Sequence, residues 1–191
     1  MKKLYATLIK HTYLGHFLHK FFIKLYKLYL SFLTDEQHAR TIFNARFSFK
    51  LNLKNPRSLN EKIQWLKLYE RTDLNTICAD KYLVRDYVAN LIGEDYLIPL
   101  VMVTDDVTKF TKENMIKEPI ILKTNHTSSH YHIVRNTNNY DWDLVRKDFS
   151  NWLNENIYHS RREWQYKNIK PLVVVEKLLL DENNNIPDDY K

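Results

Sequence analysis

The sequence predicts an α+β protein, in which a sheet with flanking helices follows a helical segment and a basic amphipathic N-terminal helix. Two observations predict this class. Apolar residues recur at three- and four-residue spacing through much of the first half of the chain, as they do in amphipathic helices. Short apolar runs then follow at residues 120–122, 131–134 and 172–180, and runs of this length between polar segments are typical of strands.

Glycine and cysteine are both scarce. The 191 residues include two glycines, where ordinary usage gives roughly thirteen. We therefore expect Asn, Asp or His at backbone positions that need a positive φ. The scarcity of glycine argues against glycine-dependent nucleotide loops, such as the Rossmann fingerprint and the Walker A loop. The single cysteine rules out an intrachain disulfide and favours a reducing compartment, so we expect a cytoplasmic protein.

Residues 1–33 predict one long basic helix. They hold six of the 29 basic residues and none of the 23 acidic ones, so the formal charge of +6 lies in this segment. Because the rest of the chain is balanced in charge, we expect no nucleic-acid partner. The apolar stripe of the helix comprises Leu14, Leu18, Phe21, Leu25, Leu28 and Phe32.

Two roles for this helix stay open. Its lysines interrupt every apolar run well short of the ~18 residues that a membrane span needs. Lys10 and His11 likewise split the apolar stretch that a signal peptide would need. The helix could lie on an anionic membrane surface, at the inner face of the cell membrane. Alternatively, it packs on the body of the protein with its lysines in solvent.

The segment from Ser58 to Gly93 is predicted to form helices. Ser58 and Glu61 have the spacing of a capping box, and Leu59, Ile63 and Leu66 form the expected buried stripe of the helix that follows. A second helix is expected over residues 75–92, ended by Gly93.

The second half of the chain predicts strands and helices in alternation. We expect a strand at residues 96–103, a short helix at 105–115, and a helix at 140–156 that buries one side. That side carries Trp142, Val145, Phe149, Trp152 and Leu153. The predicted domain division is 1–33 for the basic helix, 34–115 for the helical part and 116–191 for the subdomain that contains the sheet.

Three charged positions suggest a site for a phosphorylated ligand. Lys123 ends a buried strand and faces a polar loop rich in hydroxyls, an arrangement that can hold a phosphate. Lys81 offers a second cation from a helix. Glu176 interrupts an apolar strand, where its burial is costly unless it has a partner, and the edge of an adenine base is one such partner.

Several sequence blocks occur in an order that resembles the ATP-grasp superfamily, and more narrowly the TupA-like ATP-grasp family. They are NPRSLNEKIQWLKLYER, ADKYLVRDYV, EDYLIPL, ILKTNH, REWQYKNIKP, VVEKLL and the terminal DYK, and they cover about residues 55–191. The family is associated with the biosynthesis of bacterial teichuronopeptide and other cell-surface polysaccharides, including capsule and lipopolysaccharide. Its members are sometimes labelled glycosyltransferases.

The resemblance implies an ATP-grasp-like partial domain with an incomplete antiparallel sheet, in which residues 116–191 are an incomplete ATP-binding subdomain. It also implies a ligase that uses ATP and Mg²⁺ to join a carboxylate to an amine. Lys81 and Lys123 would contact the ATP phosphates, and the loop at 124–130 would close over them. The loop residues implied in binding are Thr124, Asn125, His126, Ser128 and Ser129. Glu176 and Lys177 would lie at the adenine hinge, and Lys191 would point toward the phosphates.

Two departures from the family pattern bear on activity. The family loop of the type N-H-G-S-G is here Asn125-His126-Thr127-Ser128-Ser129, which lacks glycine. The family region with Asp, Glu and Asn ligands for magnesium would follow Lys191. We therefore expect a truncated relative of the ligase, with weak or no catalysis of its own, and leave open whether the chain is an enzyme.

Three other hypotheses stay open. The chain could be a non-enzymatic adaptor that docks on a membrane through residues 1–33. His130 and His132 share one strand face and could meet a zinc ion with His126, although loop capping or chance clustering is favoured and we assign no metal site. An open sheet edge could also allow self-association.

Overall fold

A computed structural model describes residues 13–188 of the protein, and the side chains from His16 onward. Residues 1–12 of the predicted basic helix and Lys191 lie outside this range. The chain forms two compact units, one ending at Glu70 and the other beginning at Arg71. The predicted domain division at residues 33 and 115 stays a prediction.

The first unit is helical, with α1 at Tyr13–Phe32, α2 at Asp35–Arg46 and α3 at Leu59–Tyr69. Capping boxes begin α2 (Thr34 with Gln37) and α3, where the predicted pair is confirmed. A small buried cluster consists of Ala39, Phe43, Leu51 and Leu53. No helix within residues 13–188 has the length and apolar character needed to cross a bilayer.

The buried residue of α3 is Glu61, and the predicted apolar stripe is wrong. Leu59 is 72% exposed, and Ile63 and Leu66 are exposed as well, whereas Glu61 is 6% exposed. The Glu61 carboxylate accepts from the backbone N–H groups of Asn52, Arg57 and Ser58. These hydrogen bonds, chiefly the one from Ser58, lower the pKa of Glu61 to about 2. Glu61 therefore ties the chain before α3 to the helix.

The second unit begins with α4 at Asp73–Ala79 and α5 at Leu83–Ile92. The predicted single helix over 75–92 is wrong because Asp80 interrupts it. Asp80 Oδ1 accepts from the backbone N–H of Tyr82 at 2.8 Å and of Leu83 at 3.3 Å. These are N–H groups at the start of α5 that have no partner within the helix. Asp80 therefore caps a new helix instead of continuing the old one.

Four strands form one antiparallel sheet in the order β1-β4-β2-β3. Their bounds are Leu100–Thr104 for β1, Ile120–Thr124 for β2, Tyr131–Val134 for β3 and Val173–Lys177 for β4. The expected helix at 105–115 is wrong, since the described helical structure there is a 3₁₀ turn at Val107–Lys109. The α+β class with an open antiparallel sheet is confirmed, and self-association through an edge stays a prediction.

One face of the sheet packs against α6, at Trp142–Trp152, and the short α7 follows at Ile157–Arg161. The core includes Ile120, Leu122, Val173 and Val175 from the strands. Trp142, Val145 and Phe149 enter it from α6, and Trp152 and Leu153 pack against it, which confirms the predicted buried side. Each fully buried large apolar side chain contributes about 1.5–3 kcal/mol to the stability of the fold, so the packing on this face holds the sheet against α6.

Left-handed backbone occurs at Gly93, with φ 103°, at Asn184, with φ 62°, and at Arg162, with φ 51°. Asparagine at such a position agrees with the expectation from glycine scarcity. Arg162, which ends α7, was not expected there. Arginine has no short side chain to compensate the strain, so the surrounding structure must hold it.

Candidate functional site

Strand alternation places Lys123 and Glu176 on the sheet face opposite the core. In β2, Leu122 is in the core and its neighbour Lys123 points the other way; in β4, Val175 is in the core and Glu176 points the other way. Lys123 pairs with Val174 across the ladder, so it lies diagonally to Glu176 on the same face. Lys123 Nζ is 2.5 Å from Glu176 Oε2.

Arg85 on α5 is a second cation that contacts Glu176. Arg85 Nη1 donates to Glu176 Oε1 at 2.8 Å, and Arg85 Nη2 donates to the carbonyl oxygen of Ile98 at 2.7 Å. The guanidinium is therefore fixed at both ends. Arg85 was not among the site residues predicted from the sequence. Its place in the block ADKYLVRDYV, four residues after Lys81, was the available signal.

The carboxylate of Glu176 is buried, with its side chain 4% exposed. Removing a carboxylate from water is costly unless cations and hydrogen bonds compensate it. Oε1 has Arg85 as a hydrogen-bond donor. Oε2 is in close charge contact with Lys123 Nζ, so each oxygen of the carboxylate faces a cation.

Lys81 approaches the same region but holds the loop that follows β2. Its Nζ donates to the carbonyl oxygen of Thr124 at 3.1 Å and also to that of Thr127. Burial, followed by the positive charge of Lys123, lowers the pKa of Lys81, and the charges of Asp80 and Glu176 act in the opposite direction. Lys81 is thus close enough to interact electrostatically with Lys123 and Glu176.

The loop at 124–130 is anchored by its buried first half. Asn125 Nδ2 donates to Asp80 Oδ1 at 3.1 Å and to the carbonyl oxygen of Lys170 at 2.9 Å, while Asn125 Oδ1 accepts from the N–H of Leu172 at 2.8 Å. Thr124 and Thr127 are buried, with their hydroxyls in contact. Asn125 therefore joins the break before α5 to the segment that leads into β4.

His126 is also buried in the loop, and burial lowers the pKa of its imidazole. Its ring nitrogens lie 3.1 Å from Asn125 Oδ1 and 3.1 Å from the carbonyl oxygen of Glu155. Ser128 and Ser129 form the exposed tip of the loop. The buried half thus positions the loop, and the hydroxyls available to solvent are those of the tip.

Lys177, another predicted position, lies apart from Lys81, Lys123 and Glu176. The side chain of Lys177 points to the opposite face from Glu176 and pairs with Glu118, with Nζ 2.6 Å from Oε2. The structure therefore brings together Lys81, Lys123 and Glu176, adds Arg85, and directs Lys177 elsewhere. Lys191 cannot be placed, because it is outside the described residues.

The histidines near the loop, His130 and His132, contact side chains of α6 and of the segment before it. His132 lies 3.0 Å from the Tyr140 hydroxyl and 3.0 Å from Asp148 Oδ2, and the ring of His130 stacks on Trp152 with centroids 4.7 Å apart. Within residues 13–188, no three His, Cys, Asp or Glu side chains are grouped to hold a metal ion. The described residues therefore do not fit a magnesium site built from several protein ligands.

A cleft of about 650 Å³ opens beside Arg85, between α5 and the start of β1. Its lining consists of Tyr82, Arg85, Asp86, Ala89, Glu94, Asp95, Leu97, Pro99 and Leu100. Three carboxylates make this cleft a poor match for phosphate groups, since like charges repel.

The charges of the cluster favour an anion. We define the cluster as Lys81, Arg85, Lys123 and Glu176, with Asp80 at its base. Three cations and two carboxylates leave one positive charge in partly buried surroundings, where electrostatic attraction is stronger than in water. Oε2 of Glu176, which Lys123 covers, would become a place for a ligand N–H group once the lysine turned to that anion. The arrangement thus suits a ligand that carries both an anionic group and a hydrogen-bond donor.

Comparison with known proteins identifies one match. A family model described as TupA-like ATPgrasp matches residues 61–191, which is more than half of the chain and includes the whole cluster. No curated protein matches the chain, and no solved structure matches it.

Proposed function

We propose, since this chain belongs to the TupA-like ATP-grasp family, that the sheet face bearing Lys123 and Glu176 binds ATP for a ligase-type reaction. In that reaction a carboxylate oxygen attacks the γ-phosphorus, the bond to ADP breaks, and an acyl phosphate forms. An amine nitrogen then attacks the acyl carbon and phosphate leaves. The family membership supports the ligase class, and the cluster supports the nucleotide.

The observation that carries the proposal is the contact of Lys123 with the buried carboxylate of Glu176, whose Oε2 becomes available to a ligand donor when the lysine turns to a phosphate. The exocyclic amino group of adenine is a donor of the required kind. The side chain of Lys123 is 23% exposed and that of Arg85 is 14% exposed, so Lys123 is the more accessible to solvent of the two cations that contact Glu176. One ligand with an amino-bearing base and phosphates would therefore use both groups.

The other predicted residues have distinct roles in this proposal. Lys81 acts through the loop, since its ammonium already contacts the carbonyl oxygens of Thr124 and Thr127. Ser128 and Ser129 offer hydroxyls at the exposed tip, where glycine N–H groups would approach phosphate in the family pattern. Thr124, Asn125 and His126 shape the loop from its buried side.

The biological setting we propose is the assembly of bacterial cell-surface polysaccharide, such as teichuronopeptide, capsule or lipopolysaccharide. Family membership is its support. Within residues 13–188 no three ligating side chains are grouped for a metal ion, so we propose nucleotide binding as the function of the cluster itself, with weak transfer or none by these residues alone. A glycosyltransferase role, as relatives are sometimes labelled, is less favoured because the matching family model is that of an ATP-grasp family.

Isothermal titration of the full chain with ATP, with and without Mg²⁺, tests this proposal. We expect saturable binding that weakens about tenfold or more in Lys123→Ala, since a hydrogen bond to a charged group contributes about 1.5–3 kcal/mol. Lys147→Ala, which removes an exposed lysine on α6, is the matched control and should bind as the wild type does. No binding by the wild type at millimolar ATP, or equal binding by Lys123→Ala, would refute the nucleotide site.

A second candidate function concerns α1, whose apolar side chains are exposed. Phe17 is 67% exposed and Phe32 is 80% exposed. The other exposed large apolar residues of α1 are Leu18, Phe21, Phe22, Ile23, Leu25, Tyr26, Leu28 and Tyr29. At 100° per residue, Lys20, Lys24 and Lys27 fall within a sector of about 60°. We propose that α1 lies on an anionic bilayer, with its apolar face inserted and its lysines at the headgroups.

Co-sedimentation with vesicles tests the membrane proposal on the full chain. We expect binding to vesicles that contain anionic lipid, little binding to neutral vesicles, and loss of binding when Lys20, Lys24 and Lys27 are all changed to Glu. The matched control changes the exposed Lys50, Lys54 and Lys62 to Glu, which alters net charge equally outside α1. Equal loss in both variants would show that net charge alone drives binding and would contradict docking through α1.

A further inference from the structure

We propose that Arg85 is a positioning residue that releases Lys123 for the ligand, so that binding exchanges Lys123 from Glu176 to a phosphate group. This inference rests on the proposed nucleotide site and concerns how its cation becomes available. It starts from the geometry of one buried carboxylate that contacts two cations, Arg85 and Lys123.

The two cations differ in how firmly they are held. Arg85 donates to Glu176 through one nitrogen and to the carbonyl oxygen of Ile98 through another, and its side chain is 14% exposed. A planar guanidinium held at two points loses both bonds if it moves. Lys123 contacts the carboxylate at Oε2 from a flexible four-carbon stem, and its side chain is more exposed, at 23%. Lys123 is therefore the more readily displaced of the two.

Arg85 is sufficient to neutralise Glu176 by itself. One carboxylate needs one positive charge, and Arg85 supplies it with a hydrogen bond of 2.8 Å. When Lys123 leaves, the carboxylate is still paired, and the large cost of an uncompensated buried charge is avoided. Without Arg85, the departure of Lys123 would leave Glu176 buried and unpaired. Lys123 would then be held in place by the carboxylate and would be less available to phosphate.

The exchange also changes what Glu176 offers to a ligand. While Lys123 occupies Oε2, that oxygen is covered by an ammonium at 2.5 Å. Once Lys123 has turned to a phosphate, Oε2 becomes a buried acceptor that needs a donor. Phosphate binding and recognition of an amino-bearing base would therefore assist each other. A ligand that carries both phosphates and an amino-bearing base should therefore bind more tightly than the separate binding free energies of its two parts predict.

Inorganic tripolyphosphate is the suitable probe, because it engages Lys123 without a base that could contact Glu176. Titration of the wild-type chain should show saturable binding. We expect Arg85→Met to weaken it about tenfold, since Lys123 is then retained by Glu176. Adding Glu176→Gln to that variant should restore most of the affinity, because the neutral amide no longer retains the lysine.

A charge-matched control separates this inference from long-range electrostatics. The pair Arg85→Met with Asp86→Asn has the same net charge as Arg85→Met with Glu176→Gln, but it leaves the carboxylate at position 176 intact. Asp86 is exposed on α5 beside Arg85. We expect this control to stay weak. Equal recovery in both double variants would overturn the inference, because charge alone would then explain the recovery.

Two further outcomes are decisive. Unchanged affinity of Arg85→Met would overturn the inference and leave the proposed nucleotide site standing, whereas a wild type that binds neither ATP nor tripolyphosphate would overturn both. If Arg85→Met does not fold, Arg85→Lys carries the test. It keeps the charge but cannot bridge Glu176 and Ile98, so it should weaken binding several-fold and be rescued by Glu176→Gln.

Discussion

The ammonium of Lys81 lies 3.1 Å from the main-chain carbonyl oxygen of Thr124, and it also donates to the carbonyl of Thr127. A lysine that the family resemblance assigns to phosphate thus contacts the backbone of the neighbouring loop. Carbonyl oxygens held by Lys81 fix the orientation of the peptide groups at both ends of this turn. The lysine therefore orders the loop before any ligand arrives.

Replacing Lys81 should loosen this loop. We expect Lys81→Met to increase amide hydrogen exchange in residues 124–130, because two carbonyl oxygens lose their donor at a cost of about 1–3 kcal/mol each when buried. Mass spectrometry of the exchanged chain measures it. Lys147→Met, at an exposed position of α6, should leave the loop unchanged. Equal protection in wild type and Lys81→Met would contradict a loop-ordering role.

Asn125 should be a strong determinant of stability in the second unit. Asn125→Ala removes hydrogen bonds to Asp80, to the carbonyl of Lys170 and to the N–H of Leu172. We expect the free energy of unfolding to fall by about 3 kcal/mol, since buried partners are left unsatisfied. Urea denaturation measures the loss. Asn154→Ala, which removes an exposed bond to Ser150, should cost about 0.5 kcal/mol or less.

Glu61 should make the first unit sensitive to acid. Its folded pKa of about 2 is below the ordinary value of 4.5, so the stability it contributes is present above pH 4.5 and is lost as pH falls toward 2. We expect Glu61→Gln to be less stable than wild type at pH 6, with the difference shrinking between pH 4.5 and 2. Denaturation across this range measures it.

The control for this pH dependence is Glu182→Gln, at an exposed position. It should give a difference from wild type that does not follow the same course. A Glu61→Gln deficit that stays constant down to pH 2 would contradict the hydrogen-bonded carboxylate as its cause.

Phe149 should anchor α6 to the sheet. It is fully buried in the core, whereas Leu144 on the same helix is exposed. We expect Phe149→Ala to cost about 3–5 kcal/mol and Leu144→Ala about 0.5 kcal/mol or less. Thermal denaturation compares the two. Similar losses for both would mean that α6 does not pack as described.

Local patterns predicted the sheet and part of the cluster. Short apolar runs located β2, β3 and β4, and alternation along β2 and β4 is what brings Lys123 and Glu176 to one face. The capping box before α3 was also readable, because its two residues lie three apart in the chain. These features depend on residues that are close together in the sequence or that lie on two paired strands.

Features that depend on tertiary contacts were not predictable in the same way. The apolar spacing of Leu59, Ile63 and Leu66 did not reveal that they are exposed, and Glu61 is buried because distant backbone groups donate to it. Asp80 could continue a helix or cap a new one, and its capping carboxylate also accepts from Asn125, which is distant in the chain. Arg85 reached Glu176 only because α5 lies over the sheet.

The opposite orientation of Glu176 and Lys177 couples folding to recognition. A slip of β4 by one residue would turn Glu176 into the apolar layer beside Phe149 and would turn Val175 toward Lys123. Such a slip would lose hydrophobic packing and the contacts of Glu176 with Arg85 and Lys123 together. Any sequence change that preserves the correct packing of β4 therefore also preserves the direction of its charged residues.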